Sequence, residues 1–225
     1  MIRPLITAAL EYYLAYLIIT RGKYQKKTFF WVLFFLASYQ LGEVVIFLTE
    51  GGMLGFRIAY IATTMLPPLG VLLIEKMTKK NYGYVFFQVL SLFFISFIMV
   101  TPQIALNFEL GQFCVRIFEY HPIFANYWLA YYQGTLLFSM MVMVWEIWKN
   151  TDKKLVERLK VVLLGYISFD GVALLIGAVV PWFKPSIASL MCALALCASF
   201  LFASLALEKK LVKKMPQGKW GIAEY

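Results

Sequence analysis

Residues 28–74 read TFFWVLFFLASYQLGEVVIFLTEGGMLGFRIAYIATTMLPPLGVLLI. Two apolar runs, 28–49 and 53–74, are parted only by Glu50-Gly51-Gly52. A helix rising 1.5 Å per residue covers about 33 Å in such a run, and the hydrocarbon core of a bilayer is about 30 Å thick. Arg21, Lys23, Lys26 and Lys27 precede the pair, and Lys76, Lys79 and Lys80 follow it. The stretch therefore reads as a helical hairpin that enters and leaves a membrane on one basic side.

The same reading extends in both directions. Further apolar stretches lie at about 2–20, 82–101, 124–148, 161–182 and 186–207, seven in all, each near the length that lipid requires. The apolar fraction is 62% and the mean hydropathy +0.75, well above a soluble domain's range. Spans must be helical, because hydrocarbon offers the backbone nothing to bond. The first stretch contains Glu11, is led by Arg3 alone and lacks a small-residue cleavage pattern, so a retained helix is expected rather than a signal peptide.

The expected fold is an all-α membrane protein, a seven-transmembrane helix bundle over 1–207 with a basic tail at 208–225. Of 21 Lys and Arg residues, 17 fall in the 21–27, 76–80 and 149–160 segments and the tail. The other four are Arg3, Arg57, Arg116 and Lys184. The positive-inside rule then puts the N-terminus outside and the C-terminus in the cytoplasm. Basic loops facing anionic headgroups account for the net charge of +9 without nucleic acid. Trp31, Trp128, Trp145, Trp148 and Trp182 fall near span ends, as an aromatic belt would place them. Cys114, Cys192 and Cys197 have no metal spacing and form no disulfide framework. The lipid bilayer is the first partner implied, and the cytoplasmic (inner) membrane of a prokaryote fits best.

Residues 102–123 form the one long outer connection. Ile104, Leu106, Phe108 and Leu110 alternate with Ala105, Asn107 and Glu109; after Gly111, Phe113, Val115 and Ile117 alternate with Cys114 and Arg116. Period-two alternation about a glycine predicts a β-hairpin between helices four and five, lying over the outer mouth. Pro67 and Pro68 interrupt the third span and are hinge candidates. Ala188, Cys192, Ala195, Ser199, Ala203 and Ala206 give the seventh span a small-residue face, suited to close packing within the bundle or to a dimer seam.

Ionisable groups at membrane depth mark sites, since each costs at least ~2.5–3.5 kcal/mol on insertion scales. Glu11, Glu43, Arg57 and Asp170 qualify. Glu43 and Arg57 fall at similar depth on the second and third spans, so an ion pair is expected, either as a structural pin or as the floor of an outward pocket. Tyr39, Gln40, Tyr127, Tyr131 and Gln133 gather in the outer halves and complete a candidate ligand pocket or act as interface anchors. Tyr127 and Tyr131 share a helix face at a spacing of four. Glu11 and Asp170 are intramembrane acids, either bonded to hydroxyls or coupled to protons. A single histidine, His121, rules out the cluster that a seven-span zinc hydrolase needs. No lysine precedes Lys209 in the seventh span, so no retinal Schiff base is possible there. No metal and no cofactor are expected, and no catalytic group can be assembled, so the chain does not read as an enzyme.

Some pieces resemble a family. The third span, 57–75 (RIAYIATTMLPPLGVLLIE), carries its prolines late. The fourth ends Val100-Thr101-Pro102 and opens the hairpin-like loop. The fifth begins 127–132 (YWLAYY), and the sixth follows a basic run into 163–166 (LLGY). Over nearly all of its length the layout resembles the N-terminal seven-helix sensor region of bacterial histidine kinases and diguanylate cyclases. That resemblance implies a receptor-like sensor or binding module for a small molecule or envelope component. With only 18 residues after the last span, it implies a stand-alone module acting through a separate protein partner. A structural subunit of a larger membrane complex and a small-solute transporter are the alternatives.

Overall fold

The computed structural model describes residues 2–101, 105–110, 115–120, 124–171 and 187–208. The fold is predominantly helical. Helices α1 (Ile2–Arg21), α2 (Lys26–Leu48), α3 (Met53–Thr78) and α4 (Tyr84–Val100) follow one another. Strands β1 (Ala105–Leu110) and β2 (Val115–Tyr120) pair antiparallel, with Phe108 opposite Ile117 and Leu110 opposite Val115. A π-helical turn (Phe124–Trp128) leads into α5 (Leu129–Lys149). Helix α6 (Lys153–Tyr166) runs into a second π-helical turn (Ile167–Gly171), and α7 (Ile187–Ala206) closes the bundle.

Three helices, α1, α2 and α3, are long and apolar enough to cross a membrane; α4 and the 194–206 part of α7 are apolar but shorter. These helices are compatible with a membrane protein. So is the outer face of α4, where Val85, Phe86, Val89, Phe93 and Val100 are each at least 60% exposed. A contiguous apolar face of this kind calls for lipid or a protein partner.

The core joins Phe29 and Leu33 of α2, Leu73 and Ile74 of α3, Met143 of α5, Leu159 and Val162 of α6, and the alanines of α7. Helix α2 is so uniformly apolar that its own sequence selects no face. Glycine selects it. A Cβ on Gly42 would lie 2.7 Å from the Ala59 nitrogen, and one on Gly55 would lie 2.6 Å from Ile46. One glycine on each helix thus lets the α2 and α3 backbones touch. The small face of α7 turns inward: Ala195, Ser199, Ala203 and Ala206 are all buried, which favours intramolecular packing of that face.

Three basic segments, 21–27, 76–80 and 149–160, meet at one end of the bundle, beside the end of α7. Gln25 Nε2 donates to the Lys76 carbonyl, the Lys23 amide donates to the Ala206 carbonyl, and Arg158 pairs with Glu208 at 2.8 Å. Lys80 joins Glu146 at 2.7 Å.

The sixth helix departs from the sequence reading, which left 149–160 as a loop. It begins at Lys153, eight residues before the expected start, because Asp152 caps it: one carboxylate oxygen accepts from the Lys154 amide at 3.0 Å and from Leu155 at 3.4 Å. Its first turns are amphipathic, with Leu159 buried and Lys153, Lys154 and Lys160 exposed. Helix α3 also extends a turn past Ile74, to Thr78, and passes through Pro67 and Pro68 without a break in its helical assignment.

Gly42→Val tests the contact that sets the α2–α3 spacing. Forcing these backbones apart is expected to destabilise the protein by about 1–3 kcal/mol, read as a lowered unfolding midpoint in detergent. Gly134→Val, where an added Cβ meets nothing within 4 Å, should leave that midpoint nearly unchanged.

Candidate functional site

Proline has no amide hydrogen, so Pro67 and Pro68 leave the carbonyls of Thr63 and Thr64, four residues earlier, without their helical donors. The Tyr131 hydroxyl donates to the Thr64 carbonyl at 3.0 Å. Trp128 Nε1 donates to Thr64 Oγ1 at 2.7 Å, and the Thr64 hydroxyl in turn donates to the Tyr60 carbonyl at 2.6 Å. Thr64 is fully buried. Aromatic rings enclose it: Tyr60 stands edge-on to Trp128 (5.4 Å, 87°), Trp128 stacks on Tyr132 (5.0 Å, 15°), and Phe94 lies 4.9 Å from Tyr131. Tyr131, expected in a ligand pocket, is thereby committed to the backbone of α3.

Tyr127 is not beside it. It is 66% exposed, whereas Tyr131 is 8% exposed. The π-helical turn ending at Trp128 widens the helix there, so a spacing of four does not keep the two residues on one face. Gln133 is half-buried.

Toward the hairpin end, the Tyr39 hydroxyl donates to Glu43 Oε1 at 2.8 Å, and Glu43 is 3% exposed. Gln40, between them on α2, is wholly buried, and neither its amide nitrogen nor its oxygen has a hydrogen-bond partner among the described residues. The expected Glu43–Arg57 ion pair is not formed among the described residues. Gly42 faces Ala59 on α3, so Glu43, about 100° further round the helix, is turned aside. Arg57 Nη2 instead donates to the Thr101 carbonyl at the end of α4, at 3.4 Å.

Glu11 is also wholly buried. Its Oε1 accepts from the Ser199 hydroxyl at 3.1 Å, joining α1 to α7, while Oε2 has no partner among the described residues. The backbone of Asp170 lies in the second π-helical turn, and its side chain lies outside the described residues. His121 and residues 111–114, where a hairpin turn is expected, lie outside them too.

The basic end holds a polar cluster that the sequence did not announce. Glu146, 2% exposed, accepts from Lys80 Nζ (2.7 Å to each oxygen), from the Tyr82 hydroxyl (2.7 Å) and from Asn150 (3.4 Å). Glu75 Oε1 accepts from the Tyr82 and Tyr84 amides at 2.7 and 3.0 Å, capping α4. Nearby, the Arg158 guanidinium lies 3.8 Å over the Tyr24 ring. Burial raises the Tyr24 hydroxyl pKa above its ordinary value, with the Arg158 cation opposing the shift.

Thr64, Trp128, Ser199 and Glu146 are the principal residues missed as partners. One signal was available: Thr63-Thr64 lies four residues before Pro67-Pro68, where hydroxyl-bearing neighbours are useful. The chain matches no protein-family model and no curated protein sequence.

Glu146→Ala leaves Lys80 and Tyr82 without their shared acceptor and is expected to cost about 1–3 kcal/mol. Lys80→Ala should cost less, since its side chain is 48% exposed and water screens the pair. Chemical denaturation of the purified protein in detergent measures both.

Proposed function

We propose that the protein is a receptor-like membrane module whose ligand binds at the hairpin end of the bundle, beside Gln40. In this reading seven spans cross the inner membrane of a prokaryote, with the N-terminus outside and the basic segments in the cytoplasm. The resemblance to the sensor regions of histidine kinases supports it. So does the gathering of three basic segments at one end, where the positive-inside rule would put them in the cytoplasm. The paired strands β1 and β2 lie over the opposite mouth, and the module acts on a separate protein at the basic end.

The observation that carries the reading is the Gln40 amide. A buried amide with neither a donor nor an acceptor satisfied costs about 1–3 kcal/mol, and a packed interior retains such a group where something else completes it. Tyr39 and Glu43, one residue before and three after, set a hydroxyl and a carboxylate alongside. The ligand class that fits is a small polar molecule presenting a donor and an acceptor together, as a carboxamide or a hydroxy acid does.

Gln40→Leu separates ligand binding from simple packing. The variant is expected to unfold at a higher temperature than the parent protein, because an unsatisfied buried amide is gone. It should also lose the thermal stabilisation that the parent gains from a panel of small carboxamides and hydroxy acids. A lowered unfolding temperature, with no ligand-dependent shift in the parent, would make the amide part of the fold and defeat the proposal.

A further inference from the structure

We infer that Tyr131 and Trp128 form a latch across the Pro67–Pro68 step of α3, where the helix lacks two backbone donors, and that movement at the hairpin end reaches the basic end through it. The inference deepens the receptor reading and rests on it for its purpose, though not for its mechanics.

Pro68 removes the amide that would have bonded the Thr64 carbonyl, and α5 supplies the replacement through the Tyr131 hydroxyl at 3.0 Å. At this point α3 is completed by another helix. Trp128 doubles the attachment by donating to Thr64 Oγ1 at 2.7 Å. Trp128 is also the last residue of the π-helical turn that follows β2. Irregular turns of this kind are lower-cost places for a helix to change register. A displacement of the hairpin end therefore acts first on the residues that hold Thr64.

Beyond the prolines, the remaining turns of α3 make contacts that would carry a shift onward. Gly70 packs against the Tyr166 hydroxyl so closely that a Cβ would overlap it. Glu75 caps α4 through the Tyr82 and Tyr84 amides, and the Lys76 carbonyl accepts from Gln25 in the α1–α2 connection. Tyr82 also bonds Glu146 on α5. The latch thus has one side on a turn below the hairpin and the other on the later turns of α3, which are tied to the α1–α2 and α3–α4 connections at the basic end.

A double-mutant cycle by amide hydrogen exchange tests it, using the full chain in phospholipid nanodiscs without any ligand. Tyr131→Phe is expected to speed exchange over 69–74 by up to about tenfold, the scale of one lost hydrogen bond. It should also speed exchange at the Tyr82 and Tyr84 amides. Pro68→Ala restores the helical donor to the Thr64 carbonyl, so in that background the effect of Tyr131→Phe should fall to a small fraction. Trp128→Phe keeps the ring and removes the N–H, and it should act in the same direction if Tyr131→Phe proves too unstable to purify. Equal effects of Tyr131→Phe in the two backgrounds would overturn the latch. So would loosening confined to 69–74 with Tyr82 and Tyr84 unmoved. Because no ligand enters this experiment, its failure is distinct from failure of binding at Gln40.

Discussion

An apolar bundle can leave few backbone groups unanswered, and that constraint organises this molecule. In an interior with little water, each carbonyl needs a donor from its own helix, a neighbour or a side chain. Most of the chain meets the requirement by being helical. Where helix chemistry fails, at Pro67 and Pro68, a tyrosine from α5 meets it. Hydroxyls bonded back along their own helices add further acceptor contacts, as at Thr63, Thr64, Thr78 and Thr135. At the start of α4 a glutamate from α3 accepts from the exposed amides. Gln25 and Arg57 likewise donate to carbonyls at the ends of α3 and α4.

Packing supplies the other half. Glycine on α2 and glycine on α3 bring two backbones into contact, and small residues on α7 let it sit inside the bundle. Close approach of this kind rests on van der Waals contact, which does not depend on water to drive it. In the proposed membrane reading the hydrophobic effect contributes to placing the chain in lipid and little to choosing which helix faces which.

The coarse architecture was legible because it depends on local chemistry. Long apolar runs, their basic punctuation, the period-two segments around Gly111 and the small-residue face of α7 are each visible within a few neighbouring residues. The rest depends on partners far apart in sequence. Glu146 is 66 residues from Lys80, and no spacing rule joins them. The Glu43–Arg57 pair was inferred from equal depth, but depth does not give direction around a helix, and the glycine contact at Gly42 turned Glu43 away. Tyr127 and Tyr131 were placed on one face by a regular period that the π-helical turn interrupts. The basic residues after Asp152 read as a loop because charge outweighed the capping signal, although Asp152 precedes an amphipathic run.

The bond between Glu11 and Ser199 has a consequence for how the protein is made. The two residues are 188 apart. At translation speeds of about 5–20 residues per second, roughly 10–40 s pass between the synthesis of the carboxyl and that of the hydroxyl it bonds. Throughout that interval the first helix carries an acid whose eventual neighbour does not yet exist. Until α7 is made, Glu11 is held neutral, near water or beside another group. The α1–α7 contact is therefore made only once α7 is delivered, whatever order the intervening helices take.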